Sequence, residues 1–180
     1  MAFEFLKTAL KDYRVAALTP SSHYVVTGIM RMLPPDARCV VEYGAGDGVI
    51  TRAILAALGR EGKVIAVELN KAFAAALSRI DDPRLTVINE DVAAVSQRLN
   101  KLGALPIDAV ISGIPFSYLN RTVREEIVAS THKAITRGGR FIVDQHSLFL
   151  VPLLKRYFSS VQWRFEPRNF PPHFTMMAEK

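Results

Sequence analysis

A chain of 180 residues, 49% hydrophobic and 22% charged, has the size and composition of one globular domain with a sizeable core, which excludes low-complexity and collagen-like chains. A single cysteine, Cys39, excludes a disulfide framework, and no apolar run approaches the roughly 18–20 residues needed to span a bilayer. The net charge of +6 favours polyanionic partners, either nucleic acid or an anionic membrane face.

The start, Met1-Ala2-Phe3-Glu4, lacks the basic, apolar and cleavage segments of a secretion signal, so a cytosolic protein is expected. Phe3, Leu6, Leu10, Tyr13 and Ala17 recur near helical spacing, while Lys7, Lys11 and Arg14 share another face. Such a basic amphipathic helix either lies on a membrane interface or caps the core. Ser21 or Ser22 is placed to cap a second helix running through Ile29 to Leu33, which Pro34-Pro35 stops. His23 reads as a helix-surface residue. Residues 1–34 thus form an N-terminal amphipathic and lid segment, ahead of a core over 35–180.

From Arg38 onward strands and helices alternate. "CVVEY" and "KVIAVEL" are β-branched and apolar on both faces, as strands buried in a parallel sheet should be. "ITRAILAALG" and "KAFAAALSRI" follow them as helices. "RLTVINED" is a third strand, "VAAVSQRLNKL" a helix and "PIDAVISG" a fourth strand. "NRTVREEIVASTHKAITRGG" reads as one long helix closed by glycine, "RFIVDQHS" as a fifth strand and "LFLVPLLKRYF" as a helix. "VQWRFEPRNF" and "HFTMMAE", separated by Pro171-Pro172, read as a closing antiparallel pair. The alternation predicts one doubly wound α/β domain.

In such a sheet the ligand binds beyond the carboxyl ends of the central strands. The loop "EYGAGDG" ends the first strand and opens a helix. A dinucleotide fold needs G-x-G-x-x-G with a third glycine where the helix packs, but Val49 stands there. Glu42, just ahead of the glycines, would repel a pyrophosphate and would suit a cationic amino-acid end.

E-x-G-x-G-x-G closing a first strand resembles the signature of class I S-adenosylmethionine-dependent methyltransferases. The resemblance implies a Rossmann-like fold, with a mostly parallel seven-stranded sheet, an antiparallel last strand and helices on both faces. It implies S-adenosylmethionine as cofactor and S-adenosylhomocysteine as product, held by Glu42, Gly44, Ala45, Gly46 and Gly48 at the methionine end. Glu68, with Leu69 beside it, stands where an acid accepts both ribose hydroxyls, and Asp91 and Val92 stand at the adenine. Ser112-Gly113-Ile114-Pro115-Phe116 corresponds to the loop beside the transferable methyl. No metal site is implied.

Two families share a proline-aromatic loop after the fourth strand. In ribosomal RNA adenine dimethyltransferases an Asn in that loop accepts from the adenine amino group; Gly113 stands in its place here. Those enzymes also carry a C-terminal helical domain, for which this chain leaves no room. The bacterial phospholipid N-methyltransferases are similar over nearly the whole chain: "FLKTALKDYRVAALTPSSHYVV", "SGIPF" and "NFPPHFTMMAEK" resemble their N-terminal segment, loop and closing turn. This resemblance implies stepwise methylation of phosphatidylethanolamine toward phosphatidylcholine by a monomeric or weakly associating enzyme. It would sit peripherally on the inner face of the cytoplasmic membrane, held by its basic N-terminal helix, with no nucleic-acid partner. An RNA adenine or small-molecule N-methyltransferase is the alternative. A lipid ammonium must first lose a proton, and His146 and Tyr24 are the catalytic candidates for that step. Phe116 or Tyr118 would hold the methylated cation, and Arg164 or Arg168 would meet the lipid phosphate. A histidine in the place of His146, at a strand end, is more often a satisfied structural residue.

Overall fold

Short β-branched runs with no polar face can only be satisfied by burial on both sides, and that is where they lie in a computed structural model describing residues 22–102 and 106–180. The amphipathic segment over residues 3–17 lies outside the described residues. The strands are β1 (Cys39–Tyr43), β2 (Lys63–Val67), β3 (Leu85–Ile88), β4 (Ile107–Ser112), β5 (Ile135–Gln145), β6 (Ser160–Glu166) and β7 (His173–Glu179). They form one sheet in the order β3-β2-β1-β4-β5-β7-β6. The first five are parallel, and β7 runs antiparallel to both β5 and β6. Every residue of the central β1 is buried.

The helices are α1 (His23–Met30), α2 (Val49–Ala57), α3 (Lys71–Leu77), α4 (Val92–Ser96), α5 (Arg121–Ala134) and α6 (Val151–Tyr157). Alternation along the strands divides the core. Val40, Ala109, Ile111 and Ile142 face α1 and α2 through Ile29, Ile54 and Leu55. Val41, Val110 and Phe141 face α4, α5 and α6 through Val95, Ile127 and Leu154. Glu42 and Asp144 fall on the α1–α2 side by the same parity. The strand order reverses between β1 and β4, which opens a crevice at their carboxyl ends.

Two elements differ from the sequence expectation. The helix expected through Gly139 stops at Ala134, and Ile135 begins β5 instead. Burying Ile135 against the core turns the β-branched Ile-Thr pair into an extended segment. Two steps along β4, Ile107 to Ala109, then match five along β5, Ile135 to Arg140, with Gly138 at φ 76° in the bulge. The second expected helix, α1, ends at Met30 and not at Leu33. Its N-cap is Ser22, whose hydroxyl accepts from the Val25 amide at 3.4 Å. The Ser22 amide in turn donates to Asn169 Oδ1 at 3.0 Å, tying α1 to the β6–β7 connection.

Candidate active site

β1 delivers Glu42 to the crevice and the chain then turns through three glycines. Gly44, Gly46 and Gly48 all take positive φ, 74°, 53° and 81°. The spacing of the motif is therefore a spacing of left-handed backbone. At Gly44 a Cβ would also stand 2.8 Å from Ile114 Cγ2, so this loop and the one after β4 touch because no side chain intervenes. The Gly44 amide donates to the Val67 carbonyl at 2.8 Å, and the Gly113 amide to the Tyr43 carbonyl at 3.0 Å. Both loops thus continue the sheet ladder outward.

Glu42 is 2% exposed. Thr51, in the first turn of α2, donates to its Oε2 at 2.5 Å. Burial pushes the Glu42 carboxyl up to about 8; Glu68 and Asp47 push in the same direction, while the Thr51 hydroxyl opposes them. A buried carboxyl held neutral, at the edge of a cavity, is poised to ionise against a cation.

Glu68, at the end of β2, is also buried, and its two oxygens accept from the Gly46 amide at 2.9 Å and the Asn70 amide at 2.7 Å. It clamps the glycine loop to β2, and each oxygen keeps a second lone pair. Asn89 Nδ2 bonds the Glu68 carbonyl at 2.8 Å and the Leu69 carbonyl at 3.1 Å, fixing the β2 end against β3. Asp91 caps α4, accepting from the Ala93 amide at 2.9 Å through one oxygen. Val92 is buried in the core.

The crevice is a cavity of about 410 Å³, within the range of small-molecule sites. Among the expected residues its wall includes Glu42, Gly44, Ala45, Gly46, Gly113, Ile114 and His146. Gly48, Glu68, Leu69, Asp91, Val92 and Ser112 lie outside that wall. Phe116 does not reach the cavity. It is fully buried and packs edge-on against Phe141 at 6.4 Å, because the short 3₁₀ turn Phe116–Tyr118 points it into the core. Tyr118, half exposed and two residues on, lies in the wall in its place.

Tyr24 also lies outside the wall. Its ring stacks beneath the Arg168 guanidinium at 3.9 Å, and Arg168 forms a two-pronged pair with Glu166 at 2.6 and 2.7 Å. That pairing holds the Glu166 carboxyl well below the usual carboxylate range. Both groups are occupied structurally, clamping α1 to the end of β6. Arg164, on the edge strand, is exposed.

One constellation escaped the sequence reading. His173 Nδ1 meets Asp144 Oδ2 at 2.6 Å, and Thr175 Oγ1 donates to Asp144 Oδ1 at 3.1 Å. His146 stands edge-on to His173 with ring centroids 4.2 Å apart, and its Nδ1 donates to the Pro172 carbonyl at 3.2 Å. Asp144, Gln145, His146 and His173 all line the cavity. Gln145 is 7% exposed, and its Nε2 has no partner among the described residues. The available signal was the alternation of Asp144 with the buried Ile142, together with the polar start of "HFTMMAE".

The residues suit S-adenosylmethionine. Glu42 matches its α-ammonium, the side-chain-free Gly44–Gly46 turn allows close approach of its methionine end, and the unpartnered Gln145 amide offers a donor. When bound, that cofactor supplies an electrophilic methyl on a sulfonium. No grouping of three or more metal-type side chains occurs among the described residues.

A sheet in this order with an antiparallel β7, a glycine turn after β1 and acids at the ends of β1 and β2 define a class I S-adenosylmethionine-dependent methyltransferase. The family described as "Methyltransferase domain" matches residues 40–139, and the chain belongs to it. The chain is 30% identical over 162 residues to an ornithine lipid N-methyltransferase of Singulisphaera acidiphila, covering 88% of this chain and 84% of that protein. It is 35% identical over 72 residues to ribosomal RNA small subunit methyltransferase H of Thiobacillus denitrificans, spanning only 23% of that protein. Among solved structures, 1,6-didemethyltoxoflavin-N1-methyltransferase of Burkholderia thailandensis, with bound S-adenosylhomocysteine, superposes with a TM-score of 0.72 at 17% identity. That likeness covers 100% of this chain and 90% of the other, and it shows the fold.

Proposed function

We propose that the chain transfers methyl groups to the amine of a membrane phospholipid, with phosphatidylethanolamine as the substrate and phosphatidylcholine as the end product. The carrying observation is the acceptor end of the cavity: Tyr118, Asp144, His146 and His173 surround a space suited to a cationic nitrogen. Gly113 lines the same cavity and brings no amide side chain to recognise an adenine edge. The similarity to an ornithine lipid N-methyltransferase over 162 residues adds weight to a lipid amine, and it favours an ornithine headgroup as the second reading.

In this account the basic segment with Lys7, Lys11 and Arg14 attaches the enzyme to anionic lipid, at about 1 kcal/mol per cation near the surface. No helix among the described residues is long and apolar enough to cross a membrane. The test compares turnover on vesicles of phosphatidylethanolamine and anionic lipid with turnover on soluble phosphoethanolamine. Turnover confined to vesicles is expected; equal turnover on the soluble headgroup would overturn the membrane reading.

A further inference from the structure

We propose that His173 takes the proton from the acceptor ammonium before methyl transfer, with Asp144 and Thr175 as its positioning residues. This inference rests on the amine acceptor proposed above.

A carboxylate only accepts hydrogen bonds, so the 2.6 Å contact with Asp144 places the proton of neutral His173 on Nδ1 and leaves the lone pair on Nε2. Thr175, whose position pairs with Asp144 in the β5–β7 register, donates to the other carboxylate oxygen and fixes it. Asp144 is 7% exposed, so its contact with His173 is shielded from water and holds the ring in one orientation. His173 is thereby oriented from behind while its ring lines the cavity.

The other two candidates lack such support. His146 is exposed and is held only by a neutral carbonyl, that of Pro172. Tyr24 is outside the cavity, beneath Arg168. The titratable or charged groups around His173 are Asp144 on β5, His146 just after β5, Glu166 opposite it in the β6–β7 register with its partner Arg168, and, lining the same cavity, Glu42 on β1, Asp47 in the glycine loop and Tyr118.

An alkylammonium has no lone pair with which to attack. One of its N–H bonds breaks, the electron pair stays on nitrogen, and the proton passes to His173 Nε2. That pair forms the new N–C bond as the methyl's C–S bond breaks with its electrons on sulfur. The positive charge of the sulfonium passes to the methylated nitrogen, and His173 returns its proton to solvent. Each further methylation repeats the cycle until the nitrogen carries no proton.

The test uses His173→Asn, which keeps a donor toward Asp144 and removes the basic nitrogen. Wild-type enzyme is first offered phosphatidylethanolamine vesicles, ornithine-lipid vesicles and ribosomal RNA, and the amine that takes label is used thereafter. Loss of the phosphatidylethanolamine reading therefore does not remove the test. On an aliphatic amine, His173→Asn should lower kcat at neutral pH by about 10²–10⁴-fold. Its rate should then climb tenfold per pH unit as free amine accumulates. Calorimetry should show cofactor binding unchanged, and Asp144→Asn should move the pH profile in the same sense if His173→Asn does not fold. Imidazole nitrogen–proton spectra of the wild type should show Nδ1 protonated and Nε2 bare. A wild-type profile in His173→Asn, an Nε2–H tautomer, or label in RNA alone, whose amino group needs no prior deprotonation, would each overturn the proposal.

Discussion

Thr51 donates its hydroxyl to Glu42 Oε2 across 2.5 Å, joining the first turn of the helix after the glycine loop to the buried acid near the end of the strand before it. The pair fixes a carboxyl that burial keeps neutral near physiological pH, with the cavity on its other side.

A pH dependence follows from Glu42. In the unfolded chain its carboxyl ionises near 4.3; in the folded protein burial raises that point to about 8. The folded state holds the proton more tightly, so this group's contribution to stability is complete below about 4.3 and is lost as pH rises toward 8. The slope is at most about 1.4 kcal/mol per pH unit. Glu42→Gln should flatten the stability profile of the cofactor-free protein between those limits and raise its Tm at pH 8. The same change should weaken S-adenosylmethionine by about 2–5 kcal/mol, the loss of one partner of a buried charge pair. Thermal melts from pH 5 to 9 and calorimetric titration check both halves.

Glu68→Ala removes the clamp on the Gly46 and Asn70 amides as well as the expected ribose acceptor. Cofactor affinity should fall by about 1–3 kcal/mol. Amide exchange at Gly46 and Asn70 should accelerate together. Unchanged affinity would remove Glu68 from the cofactor site and leave it only its loop contacts.

Phe116 and Tyr118 should separate stability from function. Phe116→Ala empties a fully buried position against Phe141 and should cost about 3–5 kcal/mol in denaturant unfolding. Tyr118→Ala, at a half-exposed site on the cavity wall, should leave the unfolding midpoint nearly unchanged. It should weaken acceptor or methylated-product binding by about 0.5–2 kcal/mol, the value of a cation–π contact.

Lys7, Lys11 and Arg14 changed together to Glu should abolish sedimentation with anionic vesicles and leave cofactor affinity intact. Vesicle binding that survives would assign the N-terminal segment to the core.

The glycine turn and the acids at strand and helix ends were legible because each signal is local. Three glycines with left-handed backbone, an acid ending a strand and Asp91 before a helix all announce themselves within a few residues. The proposed acceptor end was hidden because it is assembled by sheet pairing. Asp144 and His173 are 29 residues apart and meet only through the antiparallel β5–β7 register, which no local pattern specifies. Phe116 misled because a proline-aromatic loop looks the same in sequence whichever way its ring turns; the 3₁₀ turn decides it. The boundary at Ile135 misled for a related reason. Helical spacing continued through it, and burial of one β-branched side chain outweighed that spacing.

The most direct measurement is transfer of label from S-adenosylmethionine to defined acceptors, followed by chromatography of the lipids. Vesicles of phosphatidylethanolamine with anionic lipid, vesicles of ornithine lipid, vesicles without any amine headgroup and ribosomal RNA would be compared at equal cofactor. The account predicts label in methylated phosphatidylethanolamine species and none in the amine-free vesicles. Label confined to RNA would contradict it, and with it the reading of Gly113 as a position that cannot hold an adenine.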